Sequence, residues 1–438
     1  MIACTDVNPP DNGGSSETVT PTDTTITTTD TICITWNGAS ASIVGSHENV
    51  TVSDNSGYVT VNSTVKDITY ILSGSGQGQL TIYGTNRHEL ILRDLSLICS
   101  DGPAINNQCK KSCFVVLEGT NSLTDGATYT TTEEDRKGAF FSEGQMFFSG
   151  GGSIEITGNC KHALVSDDYI HFAASTGVLT LTAKVSDGIH ANDGIFINGG
   201  TFVINATDEG IRTDSNTIAI TGGDITVFSK TEGIESKGTI TIDGGKIYSQ
   251  AVDDAINSGG DLTINGGYVC AYSTGNDGID ANGNCYINGG VVYAIGSRSP
   301  EVAIDANTEE RKQLYVNGGT IIAIGGLERG SSLSQACYQT SSINTKNWYA
   351  LYDGAEPVLA FQAAANVTPM VVSTGNTPTL KLGVTVNGGT TIFNGKAVIN
   401  GEISGGSDVS LTTYSAQDGG GPGQGGNPGG GGGRPGGH

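Results

Sequence analysis

The sequence lacks any long apolar run. No stretch approaches the roughly 18 consecutive apolar residues that a membrane-spanning helix needs, and hydrophobic residues make up 36% of the 438-residue chain. The folded body is therefore expected to lie outside the lipid bilayer and to reach a membrane only through an anchor.

Basic residues are also scarce. The chain has 21 Lys and Arg against 44 Asp and Glu, which gives a net charge of -23. Such a charge repels nucleic acid and anionic lipid at long range. Nucleic acid is therefore not expected as a partner, and an acidic polysaccharide would need a bridging cation.

Several motifs of common sites are missing. The nine cysteines show no compact framework spacing and no Cys-x-x-Cys pair, and no histidines are paired along the chain. We therefore expect no zinc site. There is no nucleophile elbow, P-loop or dinucleotide-binding motif, since the many Gly-Gly turns lack the helix that those loops need.

Glycine is present in excess, with 67 residues, about twice its usual share of about 7%. This abundance excludes a helix-dominated fold. Two sequence marks recur out of phase with each other. The first is a Gly-Gly turn, at Gly199-Gly200, Gly222-Gly223, Gly244-Gly245, Gly266-Gly267, Gly289-Gly290 and Gly318-Gly319. The second is a small residue followed by an aliphatic one, at Gly188-Ile189, Gly210-Ile211, Gly233-Ile234, Ala255-Ile256, Gly278-Ile279 and Ala303-Ile304.

This repeat predicts an all-β fold, a right-handed parallel β-helix of about ten coils with about 22–25 residues in each. Short alternating strands lie between the marks, and a unit of this length leaves no room for a helix. Two aligned columns are expected to point inward and fill the core. They are Ile197, Ile220, Ile242, Ile264, Ile287 and Val316, and Ile195, Ile218, Ile240, Leu262, Cys285 and Leu314. The Asn, Thr or Asp before each Gly-Gly turn is interpreted as a structural column, because Asn suits a left-handed backbone and hydrogen bonds along a turn stack.

The chain is expected to divide into four parts. Residues 1–30 combine a lipoprotein-like start, with lipidation at Cys4, and a flexible tether. The β-helix is expected over 31–326, with a polar insertion near 128–137. Residues 327–416 are expected to form a C-terminal β-rich cap, because an open β-helix end would expose strand edges. The Gly/Pro-rich tail, 417–438, is expected to be disordered.

Acidic residues recur in register around the small-aliphatic mark. Successive coils lie about 4.8 Å apart, close to twice a calcium–oxygen distance of about 2.4 Å, so a Ca²⁺ ion between coils can meet carboxylates of both. The alternative is that these acids cap turns and keep the surface solvated. The candidate ligands are Asp187, Asp208, Glu209, Glu232, Asp253, Asp254, Asp277, Asp280 and Asp305. Asp253 with Asp254, and Asp277 with Asp280, are the strongest candidates, because two acids meet there within one turn.

Aromatic residues are expected to share one outward face on the strands that follow the Gly-Gly turns. They are Phe228, Tyr248, Tyr272 and Tyr293. A strip of aromatic rings on a flat sheet can stack on the apolar faces of sugars. Alternatively, the C-terminal segment covers this strip.

A catalytic site is less evident. A lyase acting on acidic polysaccharide would need calcium and a basic residue beside it. Arg212 is the basic residue best placed near the acids, in one outward column with His190 and Glu235, although an arginine on a charged turn is usually an ion-pair partner. No pair of carboxylates stands out as a glycosidase would require.

The chain resembles a family of bacterial calcium-binding, carbohydrate-binding proteins built as pectate-lyase-like parallel β-helices. The resemblance rests on segments 34–38 (ITWNG), 102–105 (GPAI) and 118–126 (EGTNSLTDG), and on the repeated Asp-Gly-Ile with Gly-Gly turns. It covers about residues 30–410. It implies adsorption to plant cell-wall polysaccharide, cellulose and polygalacturonate, with calcium bound between coils and no established catalysis.

Three functions follow as hypotheses. The first is non-catalytic polysaccharide binding by a calcium-stabilised β-helix that acts as a monomer outside the cytoplasm, either secreted or anchored to the cell surface. The second is a calcium-dependent, pectate-type lyase that uses Arg212. The third is a structural surface protein or adhesin without sugar specificity.

Overall fold

The computed structural model describes residues 30–417, which are almost entirely β-structure. The predicted lipidation at Cys4, most of the tether and the predicted tail lie outside the described residues. A single-turn 3-10 helix occurs at Thr308–Glu310. Within 30–417 no helix is long and apolar enough to cross a membrane.

The chain winds into a parallel β-solenoid of about ten coils, which confirms the predicted fold class. Each coil places strands on three faces, here named in chain order. The first face is an eleven-stranded sheet of Val50–Asn55, Tyr58–Ser63, Gln79–Gly84, Ile105–Asn107, Gly138–Ser142, His162–Ser166, Ile189–Ala191, Ile211–Thr213, Ile234–Ser236, Ile256–Ser258 and Ile279–Ala281. Its pairs are parallel except for the first, an antiparallel hairpin.

The second face precedes the Gly-Gly turns and the third face follows them. The second face contains Thr31–Gly38, Ile68–Gln77, His88–Ile98, Cys113–Glu118, Met146–Ser149, Tyr169–Phe172, Gly194–Ile197, Thr217–Ile220, Thr239–Ile242, Leu262–Ile264, Cys285–Ile287, Leu314–Val316 and Ser332–Leu333, with Ala41–Val44 antiparallel at its edge. The third face contains Thr120–Thr124, Ser153–Gly158, Val178–Ala183, Thr201–Ala206, Asp224–Phe228, Lys246–Ala251, Tyr268–Ser273, Val291–Ile295 and Thr320–Ile324.

The predicted inward columns fill the solenoid core. Ile220 pairs in register with Ile242, and Ile242 with Ile264, and all three side chains are fully buried. Cys285 is buried in the neighbouring column, as predicted. Because a strand alternates its side chains between two faces, each inward residue fixes an outward neighbour, and outward residues also stack from coil to coil.

The column before the Gly-Gly turns is a ladder of hydrogen bonds. Asn288 donates to Asn265, and Asn317 to Asn288, each at 2.8 Å. The prediction of a left-handed backbone at these residues is wrong, because the second glycine of each turn takes that conformation instead, as at Gly245 with φ +89°.

The C-terminal cap continues the third face and then leaves it. Met370–Ser373 pairs antiparallel with the last third-face strand, followed by Cys337–Thr340 and Thr412–Thr413. A separate antiparallel sheet contains Trp348–Asp353, Glu356–Gln362, Pro378–Asn387, Thr390–Ile392, Ala397–Ile399 and Glu402–Asp408. Leu327 still bridges to Ile304 in parallel, so the last coil runs past the predicted boundary at residue 326.

Candidate functional site

The charged residues of the first face form one outward column. Each directly follows an inward aliphatic residue, so the alternation of the strand points it to the surface. In order, the column contains His190, Arg212, Glu235, Asn257 and Asp280, paired in register. Asp305 and Glu328 extend it, because they follow the bridged residues Ile304 and Leu327.

A second column lies in the turn that enters the first face. Its members are His162, Asp187, Glu209, Glu232, Asp254 and Asp277. Several of its carboxylates accept a hydrogen bond from the backbone N–H of the next coil, as Asp254 does from Asp277 (2.9 Å) and Asp277 from Val302 (2.5 Å). Turn capping, the alternative in the sequence analysis, is therefore one role of these acids.

Asp187 lies between two imidazoles at the N-terminal end of this region. Its Oδ2 atom is 3.2 Å from His162 Nδ1 and accepts a hydrogen bond from His190 Nδ1 at 2.7 Å. Burial alone would lower the pKa of His190, but hydrogen bonds to Asp187 and Asp214 outweigh burial and raise it to about 9. Burial opposes ionisation of Asp187, yet contacts with both histidines hold its pKa below the ordinary value.

Arg212 is held by three carboxylates. Its Nη1 donates to Glu209 (3.2 Å), its Nε donates to Asp214 (3.1 Å), and Glu235 lies 3.6 Å from Nε. Burial would lower the pKa of this guanidinium, but the neighbouring carboxylates raise it. In this structure Arg212 is therefore an ion-pair partner of these carboxylates.

Two glutamates beside Arg212 each have one oxygen without a hydrogen bond. The Oε2 atoms of Glu209 and Glu235 are buried and accept no hydrogen bond. Burial, and then the contact with Asp187, raise the pKa of Glu209 to about 9. Glu232 converges on the same two side chains, with one oxygen from each within 4.8 Å of the others.

Asp253 and Asp254, two of the predicted calcium ligands, are each held by hydrogen bonds to neighbouring residues. Asp254 is buried and accepts hydrogen bonds from Asp277 N and Asn257 Nδ2, while Asp253 accepts one from Asn276. Over residues 30–417 neither belongs to a group of three converging ligand atoms. Asp208 does converge, with Asp187 and Glu209.

Asp277, Asp280 and Asp305 do converge, with one oxygen from each within 4.8 Å of the others. Glu328 joins them: its Oε1 accepts from Thr308 (2.8 Å), its Oε2 is buried without a hydrogen bond, and its carboxyl contacts Asp305. These four residues are the acidic cluster. The sequence analysis missed Glu328 because it lies beyond the last Gly-Gly turn, although the small-aliphatic mark continues there as Gly326-Leu327.

The acidic cluster has no basic partner within residues 30–417. None of the ion pairs in this part of the chain involves its four carboxyl groups. Burial first, and then the neighbouring carboxylates, raise the pKa of Asp277 to about 8, of Asp280 to about 6 and of Asp305 to about 10. Carboxyl groups this close need a proton or a cation between them.

The predicted aromatic strip on the third face is in register but covered. Tyr248 pairs with Cys270, and Cys270 with Tyr293, so the two tyrosines share one face of the sheet, as predicted. The cap packs on this row, so Tyr248 is 4% and Tyr293 0% exposed, and Tyr293 Oη donates to Gln362 O (2.7 Å). Phe228 and Tyr272 are half-buried at the edge of the same cluster. Sugar stacking on Tyr248 and Tyr293 is therefore excluded, and the alternative of a covering C-terminal segment is correct.

Another aromatic strip lies on the second face, where Phe114 is buried and the other three rings are partly exposed. Phe114 stacks on Phe147 (ring centroids 4.9 Å apart), and Tyr169 contacts Phe147 at 5.5 Å and Phe196 at 5.9 Å. Phe147, Tyr169 and Phe196 are partly exposed, and the hydrophobic cluster beneath the cap does not include them. These four residues are the second-face aromatic strip. Their outward strand positions would have identified them in the sequence.

Polar groups border this strip. Asp168 precedes Tyr169 and accepts a hydrogen bond from Gln145 (2.6 Å), and Asp193 is exposed on the next coil. Burial, and then the charge of Asp193, raise the pKa of Asp168 to about 6. Apolar rings flanked by carboxylate and amide groups match the two kinds of surface that a sugar presents.

Comparisons with known proteins give one family and one similar structure. A family model described as "Carbohydrate-binding domain-containing protein" matches residues 53–306, more than half of the chain. The solved structure of a polysaccharide lyase-like protein from C. thermocellum, a gadolinium derivative, is similar at 16% sequence identity and a TM-score of 0.40, over 65% of this chain and 96% of that chain. A search of curated proteins found no match.

Proposed function

This chain belongs to the family of carbohydrate-binding domain-containing proteins, and from this premise we propose that it binds a plant cell-wall polysaccharide without cleaving it. The observation that carries the proposal is the second-face aromatic strip, which lies within the matched residues. Its three partly exposed rings, Phe147, Tyr169 and Phe196, lie on successive coils and span about 10 Å at about 4.8 Å per coil, enough to meet more than one sugar residue of an extended chain.

The charge of the protein favours a neutral polysaccharide such as cellulose over polygalacturonate. The net charge is -23, and Asp168 and Asp193 border the aromatic strip. A polyuronate would meet repulsion along its whole length unless a cation intervened. A neutral glucan meets none, and its hydroxyl groups can donate hydrogen bonds to these carboxylates.

We propose further that calcium binds at the acidic cluster. Asp277, Asp280, Asp305 and Glu328 offer only carboxylate oxygens, which are the ligands that Ca²⁺ prefers, and the buried Glu328 Oε2 lacks a hydrogen bond. The ion would offset the repulsion between three neighbouring coils. In this proposal calcium stabilises the C-terminal end of the solenoid and takes no part in a reaction.

Binding to an extracellular polysaccharide requires a location outside the cytoplasm. We therefore propose that the protein is secreted or displayed on the cell surface. The lyase hypothesis loses support, because Arg212 is engaged by Glu209 and Asp214. The third hypothesis, a surface protein without sugar specificity, is tested by the same binding experiment.

The test is adsorption of the purified chain to insoluble cellulose, with soluble polygalacturonate as a second ligand. The double variant Phe147→Ala, Tyr169→Ala should weaken cellulose binding by roughly tenfold or more, because truncation removes two stacking surfaces. Tyr83→Ala is the matched control, since Tyr83 is an exposed aromatic residue on the first face, and it should bind like the unmodified protein.

Three results would contradict the proposal. Equal binding by the double variant and the unmodified protein would remove the aromatic strip from the site. An absence of binding to either polysaccharide would leave the structural surface protein. Release of unsaturated, ultraviolet-absorbing product from polygalacturonate would instead restore the lyase hypothesis.

A further inference from the structure

The two histidines around Asp187 form a cluster of a different chemical kind from the acidic cluster. His162 and His190 lie one coil apart, with ring centroids 4.4 Å apart, and their Nδ1 atoms face the same oxygen, Asp187 Oδ2. One ligand atom from each of the three residues lies within 4.8 Å of the others. Nothing in the carbohydrate-binding site uses these residues.

Hydrogen bonds alone do not satisfy the contact between His162 Nδ1 and the Asp187 carboxylate. The Asp187 N–H lies 3.3 Å from His162 Nδ1, which favours an unprotonated nitrogen there. That nitrogen then presents a lone pair to the carboxylate oxygen 3.2 Å away. Two protonated rings would also repel each other across 4.4 Å. A cation between the nitrogens and the oxygen removes both conflicts.

The surroundings are negative enough to hold a divalent ion. Four carboxylates face two permanently cationic side chains, so two negative charges stay unbalanced once a bound metal replaces the proton of His190 and all four acids are ionised. The carboxylates are Asp187, Glu209, Asp214 and Glu235, and the cations are Arg212 and Lys237. Glu209 is 6% exposed, contacts Asp187 and keeps its buried Oε2 without a hydrogen bond.

The second nitrogen of His190 has the partner that a metal-binding histidine usually has. Its Nε2 atom lies 3.3 Å from Asp214 Oδ2. A carboxylate behind the ring fixes the orientation of the imidazole and leaves the opposite nitrogen free for a metal. Asp214 is therefore positioned to support His190 and does not contact the ion.

We propose that His162 Nδ1, His190 Nδ1 and Asp187 bind a divalent transition-metal ion of the zinc type, with Glu209 as the nearest fourth ligand. Zinc–nitrogen and zinc–oxygen bonds of about 2.0–2.2 Å imply ligand atoms a little over 3 Å apart. The observed 3.2 Å fits, and the 2.7 Å contact of His190 needs a small opening. Imidazole nitrogen disfavours calcium, which takes oxygen ligands. The ion would join three successive coils. Its two histidine ligands are more than 20 residues apart in the sequence, so no motif of closely spaced histidines indicated a zinc site.

The test uses the untagged full chain, stripped with a chelator and then titrated with ZnCl₂ by calorimetry in excess calcium. We expect one equivalent of zinc to bind with a submicromolar dissociation constant that calcium leaves unchanged. His162→Gln and Asp187→Asn should each weaken zinc binding by at least tenfold, and Asp214→Asn by about 10–100-fold. His47→Gln is the matched control, because His47 faces a single carboxylate, that of Asp30, at 3.8 Å.

A measurement on the unmodified protein guards against variants that fail to fold. Copper(II) bound in place of zinc should show electron paramagnetic resonance couplings from two nitrogen ligands. Failure of the unmodified protein to bind zinc would overturn the proposal. Displacement of zinc by millimolar calcium, or copper spectra with oxygen ligands alone, would do the same.

Discussion

At the scale of single residues, the charged columns of the first face divide into two halves with opposite needs. Around Arg212 the carboxylates meet three basic side chains, those of His190, Arg212 and Lys237, so part of their charge is offset within the protein. Three coils later Asp280 and Asp305 occupy the same outward column and have no basic neighbour among the described ion pairs. Buried like charges cost free energy unless a proton or cation joins them.

This contrast predicts that calcium reverses the order of stability of the Asp305→Asn variant and the unmodified protein. Without calcium the variant should be more stable than the unmodified protein near neutral pH, by about 1–3 kcal/mol, because the fold no longer has to keep a carboxyl group protonated well above its ordinary pKa. With excess calcium the order should reverse, because a ligand is lost. Melting temperatures with calcium and with chelator measure both effects.

The control for this prediction is Asp243→Asn. Asp243 accepts a hydrogen bond from Asn265 in the turn ladder, away from the acidic cluster, so its calcium response should match that of the unmodified protein. An equal calcium shift in Asp305→Asn would place the ion elsewhere.

His88 predicts a separate loss of stability in acid. It is 2% exposed, and burial lowers its pKa to about 4, opposed weakly by the Asn86 carbonyl. The unfolded chain therefore binds more protons than the folded protein between about pH 6.5 and 4. The free energy of unfolding must decrease as the pH is lowered through that window. The expected loss from this residue is about 2 kcal/mol between pH 7 and 4.5.

The measurement is urea unfolding of the unmodified protein and His88→Phe at both pH values. The variant should lose about 2 kcal/mol less on acidification. The titratable neighbours, Tyr70 and Cys113, both have raised pKa values because of burial and stay neutral throughout this range. An identical loss in both proteins would show that His88 does not contribute.

At the scale of the strand and turn, the Gly-Gly corner shows two different needs for glycine. A Cβ on Gly244 would lie 2.5 Å from the Thr221 carbonyl oxygen of the preceding coil. Gly245 has φ +89°, which costs other residues about 1 kcal/mol or more. The first glycine lets the coils stack closely. The second glycine lets the chain turn the corner from the second face to the third.

Gly245→Ala should destabilise the solenoid by about 1–2 kcal/mol. Alanine is strained at the positive φ of this position, and the added methyl group gains no contact that offsets the strain. Denaturant unfolding at fixed pH measures the change. Gly151→Ala is the matched control, because its Cβ would meet no atom within 4 Å. Equal unfolding midpoints for the two variants would contradict the assigned role of the second glycine.

At the scale of the whole molecule, the cap decides which face can bind. It buries the third-face row around Tyr293 with Phe361, whose ring lies 5.6 Å from Tyr293 and 5.2 Å from Tyr349. The second face keeps three rings of its aromatic strip, Phe147, Tyr169 and Phe196, partly exposed. The cap thus protects a sheet edge and removes one of two aromatic surfaces from contact with ligands.

Phe361→Ala should loosen the cap before the solenoid, at a cost of about 3–5 kcal/mol. Hydrogen exchange should accelerate in Trp348–Asp353 and Glu356–Gln362 while first-face strands such as Ile234–Ser236 keep their protection. Tyr352→Ala, on the same cap sheet but half-buried, is the control. Equal acceleration in all strands would show that cap and solenoid unfold as one unit.

The sequence alone determined the coils, the inward columns and the register of outward rows, because each depends on a local period of two residues along a strand and one coil along the chain. The Ile220, Ile242 and Ile264 stack follows from that period. So does the outward row in which Tyr248 pairs with Cys270, and Cys270 in turn with Tyr293. The same reasoning fixed which acids share a column.

Tertiary structure alone decided which of these rows is exposed and which side chains converge. Burial of Tyr293 depends on a segment about 70 residues later, and no periodic pattern predicts where such a segment docks. Convergence of Asp305 with Glu328, and of His162 with His190, likewise depends on how coils of unequal length stack. Periodicity fixes the direction of a side chain, whereas access and convergence depend on the parts of the chain that pack beside it.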